Sequence, residues 1–208
     1  MNKKRKIIIA VVLILVLAIA GYLWYKKVQE DRMGPVSFDS FEKIEIDGKV
    51  FMENKDIGLK FMVPDGWEVV STDIASLSMY SSDFVPFQDP SFIPKKGCWI
   101  DVAPKVQIEG SKYDLQYTYY RQVIDDEEVL NTLNQGNDKC EIVDLDGLKF
   151  AKEIYSNNNS DNQGEYIGLT TPYNNVVYRF NTYIFGQDKE KCVQEFNNFL
   201  STISIKKK

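Results

Sequence analysis

Three cysteines, an acidic cluster and a dense set of aromatics are the residues of this 208-residue chain whose types could do chemistry. Histidine is absent, which removes His general bases, His metal ligands and every Ser-His-Asp or Cys-His arrangement. Cys98, Cys140 and Cys192 stand apart with no Cys-x-x-Cys spacing, so they make no zinc-ligand set. An odd count leaves at least one thiol unpaired or shared with another chain. Cys98 and Cys140 each open a predicted strand, and a Cys98–Cys140 disulfide is one pairing open to them. Cys192 falls on the apolar stripe of a predicted helix and reads as a buried small hydrophobe. The run Asp125-Asp126-Glu127-Glu128 lacks the ligand alternation of a calcium loop and reads as a helix start. The polar loop 157–164 lacks the D-x-[DN]-x-[DN]-G pattern. These residues give no catalytic set, no metal ligands and no cofactor motif, so the expectation is a non-catalytic protein without a cofactor.

The aromatics are more telling. Phe84, Phe87 and Phe92 lie in a proline-containing stretch, 83–97, and Tyr113, Tyr117, Tyr119 and Tyr120 sit together. Exposed tyrosine suits partner binding because the ring is rigid and amphipathic. The competing reading is that most of these rings fill the core. Phe84, Phe87, Phe92, Tyr113 and Tyr119 are therefore the candidate partner-binding residues. Pro64, Gly66 and Trp67 are assigned a structural role at a turn, with a ligand platform as the alternative for Trp67.

The N-terminal segment decides where such a surface would work. Residues 7–21 are an unbroken run, IIIAVVLILVLAIAG, followed by Tyr22, Leu23, Trp24, Tyr25 and the pair Lys26-Lys27. About 20 helical residues cross a bilayer core of about 30 Å. Lys3 to Lys6 precede the run, so the positive-inside rule keeps 1–6 as a cytoplasmic basic stub and sends the rest outward. The expectation is a single-pass signal anchor over 7–25, embedded in the lipid bilayer, with a linker over 26–40 and an extracytoplasmic domain over 41–208. A cleavable signal peptide ending at Ala18-Ile19-Ala20 is the alternative, and cleavage after Ala20 stays open. Residues 1–34 carry a net +5 and the remainder −10. An acidic domain argues against a nucleic-acid partner.

The elements that must position the aromatics follow from periodicity. Asp47-Gly48 between alternating runs predicts a hairpin of 41–46 with 49–53. Leu59, Phe61 and Val63 alternate into Pro64-Asp65-Gly66-Trp67, a type I turn, and 67–70 reads as the returning strand. Strands are expected at 77–82 and 98–108, with Pro104 marking an edge or bulge. Residues 111–135 fit both a helix and a strand, and their length and acidic run favour a helix. Asp146-Gly147 predicts a second hairpin of 140–145 with 148–155. Asn174-Asn175 joins 165–171 to 176–185, where Val176, Tyr178, Phe180, Thr182 and Ile184 line one face. Asp188 is placed to cap a final helix over 189–202, with Cys192, Phe196, Phe199, Leu200 and Ile203 on its stripe. The fold class is thus α+β: a transmembrane helix, then one domain with a central antiparallel sheet flanked by helices.

Three stretches resemble the PsbP-like family: GLKFMVPDGWEVV (58–70), the hairpin DLDGLKFAKEIY (144–155) with VVYRFNTYIF (176–185), and FNNFLSTISI (196–205). The resemblance implies an α/β/α sandwich and, from photosynthetic members, an extrinsic subunit that docks on a membrane complex. This chain departs from that pattern in its own membrane segment and its lack of histidine, so no metal site, photosystem role or functional residue carries over. The functional expectation is a membrane-anchored accessory module that docks on an envelope protein or complex. The alternatives are a carboxylate-dependent envelope glycan hydrolase, which needs only two well-spaced acids, and a small-ligand carrier, which needs an apolar pocket.

Overall fold

The computed structural model describes residues 14–24, 33–72, 77–85, 96–107, 115–134, 139–157, 164–185 and 188–206. Residues 14–24 form a helix, α1, and each of them is exposed. Ile14 is 66% and Trp24 71% exposed, so no side of this apolar helix is covered. Among the described residues no helix is long and apolar enough to cross a membrane, and the rest of the 7–25 run, residues 7–13 and 25, lies outside them.

The rest is a mixed α+β fold with two antiparallel sheets rather than one. The large sheet runs β5 (Glu68–Val70), β6 (Leu77–Tyr80), β7 (Trp99–Val102), β12 (Val176–Phe185), β11 (Gly164–Tyr173), β10 (Leu148–Asn157) and β9 (Lys139–Leu145). β1 (Met33–Pro35) and β8 (Lys105–Gln107) pair with each other, and β8 also pairs with β12. The small sheet runs β13 (Ser204–Ile205), β4 (Leu59–Met62), β3 (Lys49–Asn54) and β2 (Glu42–Ile46). Residues 33–40, expected as linker, contribute β1 and a 3-10 turn, Phe38–Ser40.

The predicted hairpin turns form at Asp47, Asp146, Asn174 and Asn175, all with positive φ. Asp and Asn tolerate that conformation, and it matches the twist of the strands they join. The turn at Pro64 closes through Trp67 N–H to the Pro64 carbonyl at 3.1 Å. It does not return the chain beside β4. It carries the chain into the large sheet, where β5 pairs with β6. The 98–108 strand is interrupted as its proline requires: Pro104 has no N–H for a ladder, and its carbonyl instead accepts from Val36 N–H at 3.1 Å. Within the ambiguous 111–135 stretch, residues 115–133 are helical and broken in two. α2 (Leu115–Asp125) ends at Asp126, whose carboxylate caps α3 (Glu127–Leu133) through Glu128 N–H at 2.9 Å.

The two faces of the large sheet are unlike. One packs on the small sheet and on α4 (Lys189–Leu200) around Phe61, Phe180, Phe196 and Phe199, each at most 1% exposed. Phe199 touches Phe61 at 5.5 Å and Phe180 at 6.0 Å between ring centroids, so one helical ring locks both sheets together. Burying each such ring contributes about 2–3 kcal/mol. The other face meets α2 and α3 through a smaller cluster of Tyr120, Val123, Cys140, Ala151 and Val177.

The disulfide joins Cys98 to Cys192, which corrects two expectations for the cysteines. Cys140 lies on β9, separated from β7 by β10, β11 and β12, about 19 Å at the usual strand spacing. That distance is beyond any bridge. Cys192 is as buried as its stripe predicted, but it faces Cys98 with a Cα–Cα distance of 5.2 Å. Around the bridge, Gly97 N–H donates to the Asp188 carboxylate at 3.1 Å and Lys191 pairs with Asp83 at 2.8 Å. Asp188 therefore stands at the helix start without a side-chain cap bond to its own helix. Gly97 has φ +86 and a Cβ there would lie 2.5 Å from the Phe84 Cα, so only glycine fits.

The bridge closes a loop of 94 residues in separation. Cys98→Ser should lower unfolding free energy by about 2–5 kcal/mol in urea titrations, while Cys140→Ser leaves the response to reductant unchanged. A wild-type transition unmoved by reductant would contradict this pairing.

Candidate functional site

The face of the large sheet that bears α2 and α3 carries an ordered set of polar and aromatic side chains. Residues paired across antiparallel strands point to the same side. The register therefore aligns Tyr80, Trp99, Tyr183, Tyr166 and Tyr155 on five successive strands, β6, β7, β12, β11 and β10. Their rings touch in sequence, with centroids 5.7, 4.7, 5.1 and 5.7 Å apart. Phe84 extends the row beyond β6, 4.4 Å from Tyr80. Tyr80, Phe84, Tyr166 and Tyr183 are half-buried and Tyr155 is exposed. Successive interplanar angles of 41°, 29°, 61° and 47° give no flat run of coplanar rings.

Two residues along each strand lies a polar row: Ser78, Asp101, Asn181, Gly168, Glu153 and Cys140. Asp101 is 2% exposed and its Oδ1 accepts from Ser78 Oγ at 2.5 Å and Trp99 Nε1 at 2.6 Å. No cation forms an ion pair with it among the described residues. Burial outweighs the two hydrogen bonds and pushes its pKa from 3.8 up to about 6. Tyr166 donates to Asn181 Oδ1 at 2.6 Å, and Arg179 donates to Asn181 Oδ1 at 3.2 Å and to the Tyr166 hydroxyl at 2.9 Å. Gly168 makes this possible, since a Cβ there would lie 2.9 Å from the Tyr166 hydroxyl. Tyr120 on α2 donates to Glu153 Oε2 at 3.2 Å, and burial and then Glu153 push its hydroxyl up to about 12. Burial first, then Glu153, raises the Cys140 thiol to about 11, so it stays protonated and a poor nucleophile.

Of the predicted partner-binding residues, Phe84 and Tyr119 come to this one face. Tyr119 is 38% exposed on α2 and packs edge-on against Tyr120 at 5.1 Å. Phe87, Phe92 and Tyr113 lie outside the described residues. The row of Tyr80, Trp99, Tyr183, Tyr166 and Tyr155 was missed in the sequence reading. Each strand showed its own alternation, but the row depends on which strands are neighbours and in what register.

A second feature surrounds the Pro64-Gly66-Trp67 turn. A groove of ≈ 590 Å³ opens between the small sheet and β5. Phe41, Met52 and Val63 form its apolar floor, Trp67 a wall, and Lys43, Asp65 and Glu68 its charged margin. Trp67 is half-buried against the core, so it serves the packing role and the groove wall together.

The geometry bears on a hydrolase. Asp101 and Glu153 are the buried acids of this face and stand three strand spacings apart, about 14 Å between Cα atoms. Paired glycosidase carboxylates lie about 5 Å apart, or about 6.5–9.5 Å for inversion. Among the described residues no group of three metal-ligating side chains forms.

No known family pattern matches this chain, and no curated protein matches it. Solved structures similar to it include one from Bacteroides thetaiotaomicron VPI-5482, at 11% identity and TM-score 0.43 over 73% of this chain. The match spans about half, 46%, of that chain. Cyanobacterial PsbP (CyanoP) from Synechocystis sp. PCC 6803 aligns at 14% identity and TM-score 0.41, covering 83% of this chain and 96% of its own. LpqN, described as involved in cell envelope biogenesis of Mycobacterium tuberculosis, aligns at 14% and 0.43, covering 83% and 90%.

The sign of the Asp101 effect is fixed by linkage. Its native pKa is raised, so its contribution to stability is full below about pH 4 and lost as pH rises through about 6. Asp83 has the opposite sign and a separate window. Lys191 and Ser81 hold it down at about 2, so its contribution is present above about pH 4 and lost toward pH 2. Asp101→Asn keeps an acceptor for Ser78 and Trp99. It should flatten the fall between pH 4 and 6 and raise stability at pH 7.5 by up to about 3 kcal/mol. An unchanged pH slope in the variant would contradict the assignment.

Proposed function

We propose that this chain is a membrane-tethered, extracytoplasmic, non-catalytic binding module of PsbP-like architecture that docks on an envelope protein. The aromatic face of the large sheet is its docking surface. The observation that carries the reading is the cross-strand row from Phe84 to Tyr155, whose rings are half-buried to exposed except for the buried Trp99, with Arg179 fixed beside it by neutral partners. Tyrosine, tryptophan and arginine are enriched where proteins bind proteins. The tilted rings favour a protein partner over a sugar chain, which stacks on coplanar ring faces.

Two further features support the location. The apolar segment 7–25 has basic residues on both flanks, and its helix over 14–24 is uncovered on every side, which suits an apolar solvent. The Cys98–Cys192 bridge is buried and belongs to an oxidising compartment. The distance between Asp101 and Glu153 weighs against the hydrolase reading. The groove beside Trp67 favours a second reading, a small-ligand carrier, because its volume and apolar floor fall within the range of ligand sites.

Crosslinking the full chain in its native membrane, followed by purification, tests both readings. A discrete partner captured by the wild type and reduced about tenfold or more by Tyr155→Ser with Tyr119→Ser is the expected result. A partner captured equally by the variant would remove the aromatic face from the account. An apolar molecule released from the purified chain on denaturation, with no protein partner, would move the function to the groove.

A further inference from the structure

The outer face of the small sheet has a chemistry unlike the rest of the domain. Ile44, Phe51 and Met62 are paired directly across β2, β3 and β4 and so form one row. They are half-buried, and none belongs to either core cluster. Ile46, beside them, is 41% exposed. The same face carries Glu42, Lys49, Glu53 and Lys60 by register, with Lys55 and Lys206 reaching it from its margins. The two acids are engaged: Glu42 pairs with Lys55 at 2.6 Å and Glu53 with Lys206 at 3.3 Å. Lys49 and Lys60 have no carboxylate partner among the described residues, and the Lys60 ammonium lies 4.8 Å over the Phe51 ring. An apolar row with two lysines outside any ion pair among the described residues thus stands on a domain whose net charge from residue 35 onward is −10.

We infer that this face is a docking surface for an anionic lipid bilayer, the one in which the chain's own apolar segment would sit. The inference rests on the tethered reading above. Short range decides the charge balance. Screening limits electrostatics to about 8 Å at physiological salt, so the membrane meets this sheet's lysines and not the acids of distant faces. Ile44, Ile46, Phe51 and Met62 would enter the headgroup region while the lysines bind lipid phosphates. β2 also follows the apolar segment closely in sequence, so the tether and the face act within one short reach. Seated this way, the domain has a fixed orientation, with the aromatic face of the other sheet left for a protein partner.

The test uses the full chain in vesicles of phosphatidylcholine alone or mixed with phosphatidylglycerol, each containing a headgroup-nitroxide lipid. Backbone NMR signals of residues 44–51 should broaden in the anionic vesicles and recover with K49E/K60E. Docking should weaken about tenfold in that variant and vanish at 1 M salt. A chain that resists carbonate extraction while 44–51 stays equally sharp in both lipids overturns the docking face and leaves the tether intact. A chain lost to carbonate overturns the tether. Sedimentation with externally added vesicles then decides the face: binding to anionic vesicles that K49E/K60E abolishes upholds it, and no binding overturns it.

Discussion

The register of β12 is the constraint on which the rest depends. This strand pairs with β11 over ten residues and with β7 and β8 on its other edge. Its alternation sends Val176, Tyr178, Phe180 and Ile184 into the core and Val177, Arg179, Asn181 and Tyr183 to the opposite face. A slip of one residue would exchange the two sets, burying a guanidinium among Phe61, Phe196 and Phe199. The cost of burying an unpaired charge makes that register untenable. The same pairing that protects the core therefore builds the aromatic row and the polar row beside it.

Those rows are not what stability alone would select. Asp101 sits at 2% exposure with two neutral donors and, among the described residues, no cation, and it disfavours the folded state above pH 6. A buried acid kept at such a cost, held by the buried indole of the aromatic row, marks this face as a candidate functional one. Trp99 connects the two, because its indole N–H holds Asp101 while its ring stacks on Tyr183. A polar floor thus fixes the rings of the aromatic row from beneath.

Local chemistry was legible in the sequence and long-range pairing was not. Asp47-Gly48, Asp146-Gly147 and Asn174-Asn175 announced three hairpins because each turn needs residues that tolerate positive φ. The α4 stripe was readable from spacing, and α2 from length. The Pro64 turn misled, since a type I turn says that the chain reverses but not which sheet receives it. The cysteines misled for the same reason: opening a strand says nothing of how many strands lie between two thiols. Phe84 and Tyr119, chosen for type and company, do reach one face, but the five rings between them come from strands whose order only the fold supplies.

We propose an exported domain, and one bridge locks its fold. The direct measurement is topology with thiol counting on the full chain in intact cells. An impermeant protease should digest the domain from outside. Alkylation of the denatured, unreduced chain should modify one cysteine, Cys140, and reduction should raise that to three. A domain protected until cells are opened, with all three thiols free beforehand, would contradict it.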